Sequence, residues 1–278
     1  MFKHTNFVLV ICIGLFTACD IIEPPFIEEH PTTTTNDTLT KVLLEDFTGH
    51  KCVKCPAAHD VATQLKDIYG DQLIIIAIHA GYFAEVDAEY TYDFNTTVGT
   101  ELNTDFSTGD VFPIGVINQL QINNSYLINP NTWGSVIDTI VDNAPKIYLK
   151  ITNSYNATTR VLSTDVQTKF LADANATYKL VLYLTEDSIV AAQKDEDENG
   201  LPIKVDDYVH NHVLRDAING TWGDTLIIGA INNGYTATTN FTYTLNQNWV
   251  AKHCNIVAFV FDDATKEVVQ AEQENITE

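Results

Sequence analysis

Residues 41–56 read KVLLEDFTGHKCVKCP, an apolar run that ends in a Thr-Gly turn and a Cys-x-x-Cys pair. Lys41 to Phe47 has the length and apolar character of a buried strand. Pro56 to Tyr69 follows helical spacing, with Val61, Leu65 and Ile68 on one face and Gly70 as a stop signal. Leu73 to Ile78 is a second apolar run of strand length, of the kind found in parallel sheets covered on both faces. Strand, helix and strand in such close succession make a βαβ unit. The cysteine pair sits at its first strand-to-helix junction.

That position has chemical consequences. A thiolate at a helix N-terminus faces the positive end of the helix dipole and unpaired backbone N–H groups, and both lower its pKa. His50, Lys51 and Lys54 crowd the same turn of a chain whose formal charge is −22. This basic cluster is expected to favour a thiolate on Cys52, which would attack a disulfide while Cys55 resolves the mixed disulfide. Pro56 fits the first helical turn, where its missing N–H is not needed. Two other readings use the same residues. One is a static disulfide, ordinary in an oxidising compartment. The other is a zinc site built from Cys52, Cys55 and His59, with His79 completing it. Cys254, beside an apolar strand, reads as an inert core thiol.

The chain upstream says which compartment applies. Lys3 and His4 precede an apolar run from Phe7 to Phe16, too short to span a bilayer. Leu15-Phe-Thr-Ala-Cys19 then brings small residues up to a cysteine, as in a lipobox. Residues 1–19 are therefore read as a lipoprotein signal peptide, with Cys19 as the lipid-carrying N-terminus; an ordinary cleaved signal is the alternative. Removing Lys3 moves the formal charge from −22 to −23, which argues against nucleic acid and anionic membrane surfaces as partners. Residues 20–40, rich in Pro, Thr and acids, read as a flexible tether with a reach of roughly 25 Å.

Beyond the βαβ unit, residues 84–106 are polar and aromatic and are expected to be helical. Val111 to Ile117, interrupted by Pro113, reads as a strand, and Asn131 to Asn143 as a helix. From Pro145 the pattern changes to short alternating strands separated by turn-rich segments, as in a sandwich. The expected organisation is an α/β domain over 41–145 and an all-β sandwich domain over 146–278. Within the latter, His210 and His212 would share one strand face, as a hydrogen-bonded pair or a metal site. Arg215 would pair with an acid such as Asp224. Asp195, Asp197 and Asn199, followed by Gly200 and by Asp206, have calcium-loop spacing; a solvated acidic hairpin tip is the competing reading.

The setting of the cysteines resembles the thioredoxin family. Asp46-Phe47 precedes Cys52 at that family's spacing, which implies that Asp46 is the proton acceptor that helps Cys55 attack. Pro113 resembles the family's cis-proline, whose loop aligns a peptide substrate against the cysteine pair. Lys51 stands where the family keeps Trp, and the interval from Cys55 to Pro113 is longer than in a minimal thioredoxin. The extra residues between Ala80 and Phe106 would cover or shape the site. Taken whole, the chain resembles the outer membrane protein 28-related lipoproteins. The lipobox, Thr48–Pro56, Phe112-Pro-Ile-Gly-Val-Ile-Asn118, and His210-Asn-His-Val-Leu-Arg215 with its Gly-x-Trp-Gly sequel carry that likeness.

The resemblance implies a thioredoxin-like domain followed by a β-sandwich and a lipid-anchored place at the outer membrane, on its periplasmic or surface face. It implies no settled reaction. Two functions follow as expectations. One is a cofactor-free thiol–disulfide oxidoreductase acting on envelope protein thiols and disulfides. In it Cys52 is the nucleophile, Cys55 the resolver, and Asp46 and Pro113 support them. The other is a non-enzymatic surface-binding or adhesin lipoprotein, whose sandwich recognises protein or glycan and whose cysteine pair is structural.

Overall fold

β1 (Val42–Thr48) is buried at all seven positions, because its alternating side chains serve two cores. Val42 and Leu44 pack on one face with Ala58, Ala62 and Leu65, whereas Leu43 and Phe47 pack on the other with Ile74, Ile76 and Tyr183. A computed structural model describes residues 39–277 of the chain. The signal peptide expected over residues 1–19, the lipid-carrying role expected for Cys19 and the expected tether as far as residue 38 lie outside the described residues.

α1 (Cys55–Tyr69) follows β1 and leads to β2 (Leu73–His79), which pairs in parallel with β1 from Val42↔Leu73 to Thr48↔His79. The helix buries Cys55, Ala58, Ala62 and Leu65, so its inner face is rotated from the one expected. Ile68 is 63 % exposed. Two alanines on the inner face let the helix lie close on the sheet, where larger residues would hold it off.

Residues 80–106 hold only a short α2 (Gly81–Ala84) and a nine-residue α3 (Thr97–Asp105), not the continuous helix expected. α3 starts where Thr96 accepts a hydrogen bond from the Gly99 N–H, a side-chain cap that sets its N-terminus. The Phe112–Pro113 peptide is cis and leads into β3 (Ile114–Ile117), which pairs antiparallel with β1, Gly115 opposite Asp46. α4 (Trp133–Val141) then packs Trp133, Ile137 and Ile140 against the α1 side of the sheet.

The rest of the described chain is built of strands: β4 (Ile147–Asn156), β5 (Val161–Phe170), β6 (Ala174–Glu186), β7 (Ile189–Glu196), β8 (Pro202–His210), β9 (Val213–Ala217), β10 (Asp224–Ile231), β11 (Thr236–Thr244), β12 (Cys254–Asp262) and β13 (Val268–Asn275). The main sheet has the order β13-β12-β6-β9-β2-β1-β3, with β10 on β6. β11, β5 and β4 form a second sheet and β7 with β8 a third. β4 and β5 pack Ile147, Leu149, Leu162 and Val166 onto Leu180, Leu182, Ile256 and Val260 of the main sheet, which is sandwich packing. The strands after residue 145 do not stand apart: β9 joins β2 to β6, so one sheet runs through both stretches.

Candidate functional site

Cys52 and Cys55 form a disulfide, with Cα atoms 5.4 Å apart. The turn that carries them is tied down by its own backbone: the Cys52 N–H donates to the Gly49 carbonyl at 2.9 Å and the Lys51 N–H to the Phe83 carbonyl at 3.0 Å. Gly49 is required there. A Cβ on it would lie 2.5 Å from the Phe83 carbonyl carbon, so any larger residue would push the α2 segment off the cysteine turn. The segment after β2 thus shapes the site through the short α2, not through a long inserted helix.

The basic cluster does not leave the disulfide in a positive field. Lys51 Nζ lies 3.8 Å from both Glu85 and Asp87, and 4.7 Å from the centre of the Tyr82 ring. Lys54 Nζ is 2.6 Å from Glu196. His50 is buried with Nε2 3.0 Å from the Glu85 carbonyl, and burial holds its pKa below the ordinary imidazole value. Each cation has a partner that local spacing does not reveal.

Both cysteines are covered, Cys52 being 2 % exposed and Cys55 0 %. The β7–β8 hairpin lies across the turn that carries them. Its Lys194 N–H donates to the His50 carbonyl at 2.7 Å, and the Gln193 amide donates to the carbonyls of Cys52 at 3.1 Å and Gly49 at 3.4 Å. The hairpin's apolar anchor lies at its base, and beyond it the strand is held by these polar bonds and by the Lys54–Glu196 ion pair. Ile189 and Ala191 at its base pack with Phe94 and Val213, while Leu201 at the other end is 61 % exposed. Its register shifts between Ala191 and Gln193, so a bulge separates the anchored base from the part that crosses the cysteines.

Asp46 lies beneath α1 and is 1 % exposed. Burial pushes its carboxyl up from 3.8 to about 7, and its buried Oδ1 has no hydrogen-bond partner among the described residues. Its Oδ2 is 3.7 Å from Nε2 of His59, which stands one helical turn after Cys55. The same Nε2 is 2.9 Å from the Thr48 hydroxyl, and Nδ1 is 2.8 Å from the Tyr208 hydroxyl on β8. Burial pulls the His59 pKa down to about 4, with His212 adding to the effect. Neighbouring Glu45 points to the opposite face, where the Gln119 amide donates to it at 3.2 Å and burial raises its carboxyl to about 8.

Asp46, His59, His79, Tyr208, His210 and His212 line a cavity of about 330 Å³. Phe94 stacks on the His79 ring, centroids 4.2 Å apart, and lies tilted against His210 at 4.5 Å. Buried His79 and His210 are held well below the ordinary imidazole range, His210 at about 3. His210 and His212 do not share a strand face: β8 ends at His210, and His212 sits in a turn at φ 58°. They meet at the cavity instead.

The remaining sequence candidates are dispersed. The Asp197 carboxylate accepts from the N–H groups of Asn199 and Leu201 and closes the hairpin turn. Asp195 accepts from the Glu196 N–H, and Asp206, within β8, is 2.6 Å from Lys204. Among the described residues no group of three or more His, Cys, Asp or Glu is arranged to hold a metal ion. Arg215 pairs with Glu186, at 2.8 Å, rather than with Asp224. It lies between the Tyr92 and Trp249 rings. Cys254 is fully buried, and its thiol is pushed up to about 12.

Fold and site define a predominantly β protein that carries a covered disulfide at a strand-to-helix junction. The chain belongs to the outer membrane protein Omp28 family, whose model matches residues 107–278; that match begins after the cysteine pair. Among solved structures, HBP35 of Porphyromonas gingivalis is similar at 17 % identity and a TM-score of 0.64, over 86 % of this chain and 76 % of that one. A protein from Agrobacterium tumefaciens is similar at 13 % identity and a TM-score of 0.50, over 86 % and 96 %. A domain of the outer membrane lipoprotein Omp28 from Porphyromonas gingivalis is 26 % identical with a TM-score of 0.33, over 48 % and 88 %. No curated protein matches the chain.

Proposed function

We propose that the chain is an outer-membrane lipoprotein, anchored through Cys19, that exchanges disulfides with envelope proteins at Cys52–Cys55. In this reading β1, α1, β2, β3 and α4 form a thioredoxin-like unit, and the sandwich strands position a partner. The observation that carries it is Asp46. A buried carboxyl without a hydrogen-bond partner costs stability and contributes nothing to packing, and such groups concentrate where protons are transferred. Here it lies against the helix that begins with Cys55. Its pKa of about 7 lets it both take up and release a proton near neutrality.

Access to Cys52 requires the tip of the β7–β8 hairpin to swing away at its bulge, with the base remaining packed. The exchange-competent state is then a minor, open one. A second reading has its own support: 2 % exposure of Cys52 suits a structural disulfide in a protein that binds ligands through its β surface. Trapping separates the two. A Cys55→Ser variant expressed in cells should accumulate mixed disulfides on Cys52 with envelope proteins. A variant recovered only as the free thiol favours the structural role.

A further inference from the structure

We propose that His59 is the proton shuttle of Asp46, carrying a proton between that buried carboxyl and the adjoining cavity. The inference rests on the exchange reading above and adds a residue to it. Geometry carries it: His59 bridges the two places a proton must connect. Its Nε2 is 3.7 Å from Asp46 Oδ2 and its Nδ1 is 2.8 Å from Tyr208 Oη. Its side chain is 20 % exposed, against 2 % for that of Asp46. An imidazole with one nitrogen facing each side passes a proton by taking one at Nε2 as it releases another from Nδ1.

Atoms and electrons balance along this route. The Cys52 thiolate attacks one sulfur of a substrate disulfide, and the first substrate thiolate leaves. Cys55 gives its proton to Asp46 and attacks Sγ of Cys52; the mixed disulfide breaks and the second substrate thiolate leaves. The cysteine pair has been oxidised and the substrate has gained two electrons. Nε2 of His59 gives up the Thr48 hydroxyl and closes the 3.7 Å gap to take the proton on Asp46; Nδ1 hands its own to Tyr208, and the phenol releases one to water in the cavity, where it reprotonates a product thiolate. In the reverse direction the same path delivers a proton to Cys55.

The surroundings suit a shuttle. His59 faces Asp46 and Thr48 from β1, Asp60 from its own helix, His79 from β2, Tyr208 and His210 from β8, and His212 from the turn beyond. With His59 held at about 4 and Asp46 at about 7, a proton passes through the imidazole and rests on the carboxyl. Tyr208 stands opposite Ala191, on the anchored side of the hairpin bulge. The contact with His59 therefore survives when the tip lifts from Cys52.

The test uses the full chain in its reduced form, with a fluorescent disulfide-linked glutathione dimer as substrate, and follows exchange from acid to alkaline pH. His59→Gln keeps a hydrogen-bonding side chain but cannot relay. Its rate should fall about tenfold to a hundredfold at neutral pH, and added imidazole should restore part of it. Tyr208→Phe, which keeps the ring, should lose less. A His59→Gln protein with the wild-type rate and pH profile overturns the shuttle, as does a loss that imidazole fails to rescue while circular dichroism reports an intact fold. A wild type that exchanges no disulfide at any pH overturns both the shuttle and the reading on which it rests.

Discussion

Replacing Asp46 with Asn should make the protein relatively more stable as the pH rises, and the size of the effect follows from burial. The carboxyl goes from 3.8 to about 7 on folding. A group whose pKa is raised by folding favours the native state fully only below its unfolded value, and that benefit is lost as pH climbs through the folded value. At about 1.4 kcal/mol for each tenfold change in the acid dissociation constant, ionisation of Asp46 costs the native state about 4 kcal/mol once both states are deprotonated, near pH 8. At pH 5 the unfolded carboxyl is already ionised, so about 2 kcal/mol of that is present. The difference between Asp46→Asn and wild type should therefore move by about 2–3 kcal/mol in favour of the variant between pH 5 and pH 8. Urea unfolding at both pH values reads this directly, provided the m-values agree. Comparing variant with wild type also cancels the opposing effect of His79 and His210, and of His59 apart from its direct interaction with Asp46. Their lowered pKa values cost stability as pH falls below the imidazole range. If the stability curves of the two proteins run parallel from pH 5 to pH 8, the assignment of a buried, proton-holding Asp46 is refuted.

The hold of the hairpin should also be adjustable. Gln193→Ala removes the amide that holds the Cys52 and Gly49 carbonyls; at about 1 kcal/mol net, it should speed reduction of the disulfide by dithiothreitol about fivefold, and an unchanged rate would show that opening does not limit access. Arg215→Met should destabilise the fold by about 3–5 kcal/mol, because it leaves Glu186 buried without its charge partner. A denaturant midpoint equal to that of the wild type would contradict that.

The βαβ unit was legible because its signals are local. Unbroken apolar runs at Lys41–Phe47 and Leu73–Ile78 read directly as strands buried on both faces, and the cysteine turn lies between strand and helix as spacing requires. Most sandwich strands were marked by alternation and by turn residues. What the sequence hid was long-range. β7 and β8 alternate with polar residues like a surface hairpin, and nothing near Gln193 or Lys194 indicates that they bond to residues 49–52. Ile68 fits the helical apolar spacing, yet the sheet takes the smaller face of Ala58 and Ala62. His59 was visible as a candidate ligand by its distance from Cys55. Its contact with Asp46 depends on β1 lying under α1, and its contact with Tyr208 on a strand about 150 residues away. Lys51 and Lys54 looked like an activating cluster because their carboxylate partners, Glu85, Asp87 and Glu196, come from other segments.

The claim that Cys52 and Cys55 exchange disulfides is tested most directly by their reduction potential. The full chain is equilibrated in thiol–disulfide buffers of graded potential, and the dithiol fraction is counted by alkylation and mass spectrometry. An exchange-active pair titrates between about −120 and −270 mV, and that is the result expected here. A pair that stays oxidised below about −300 mV is a structural disulfide, and would contradict the account.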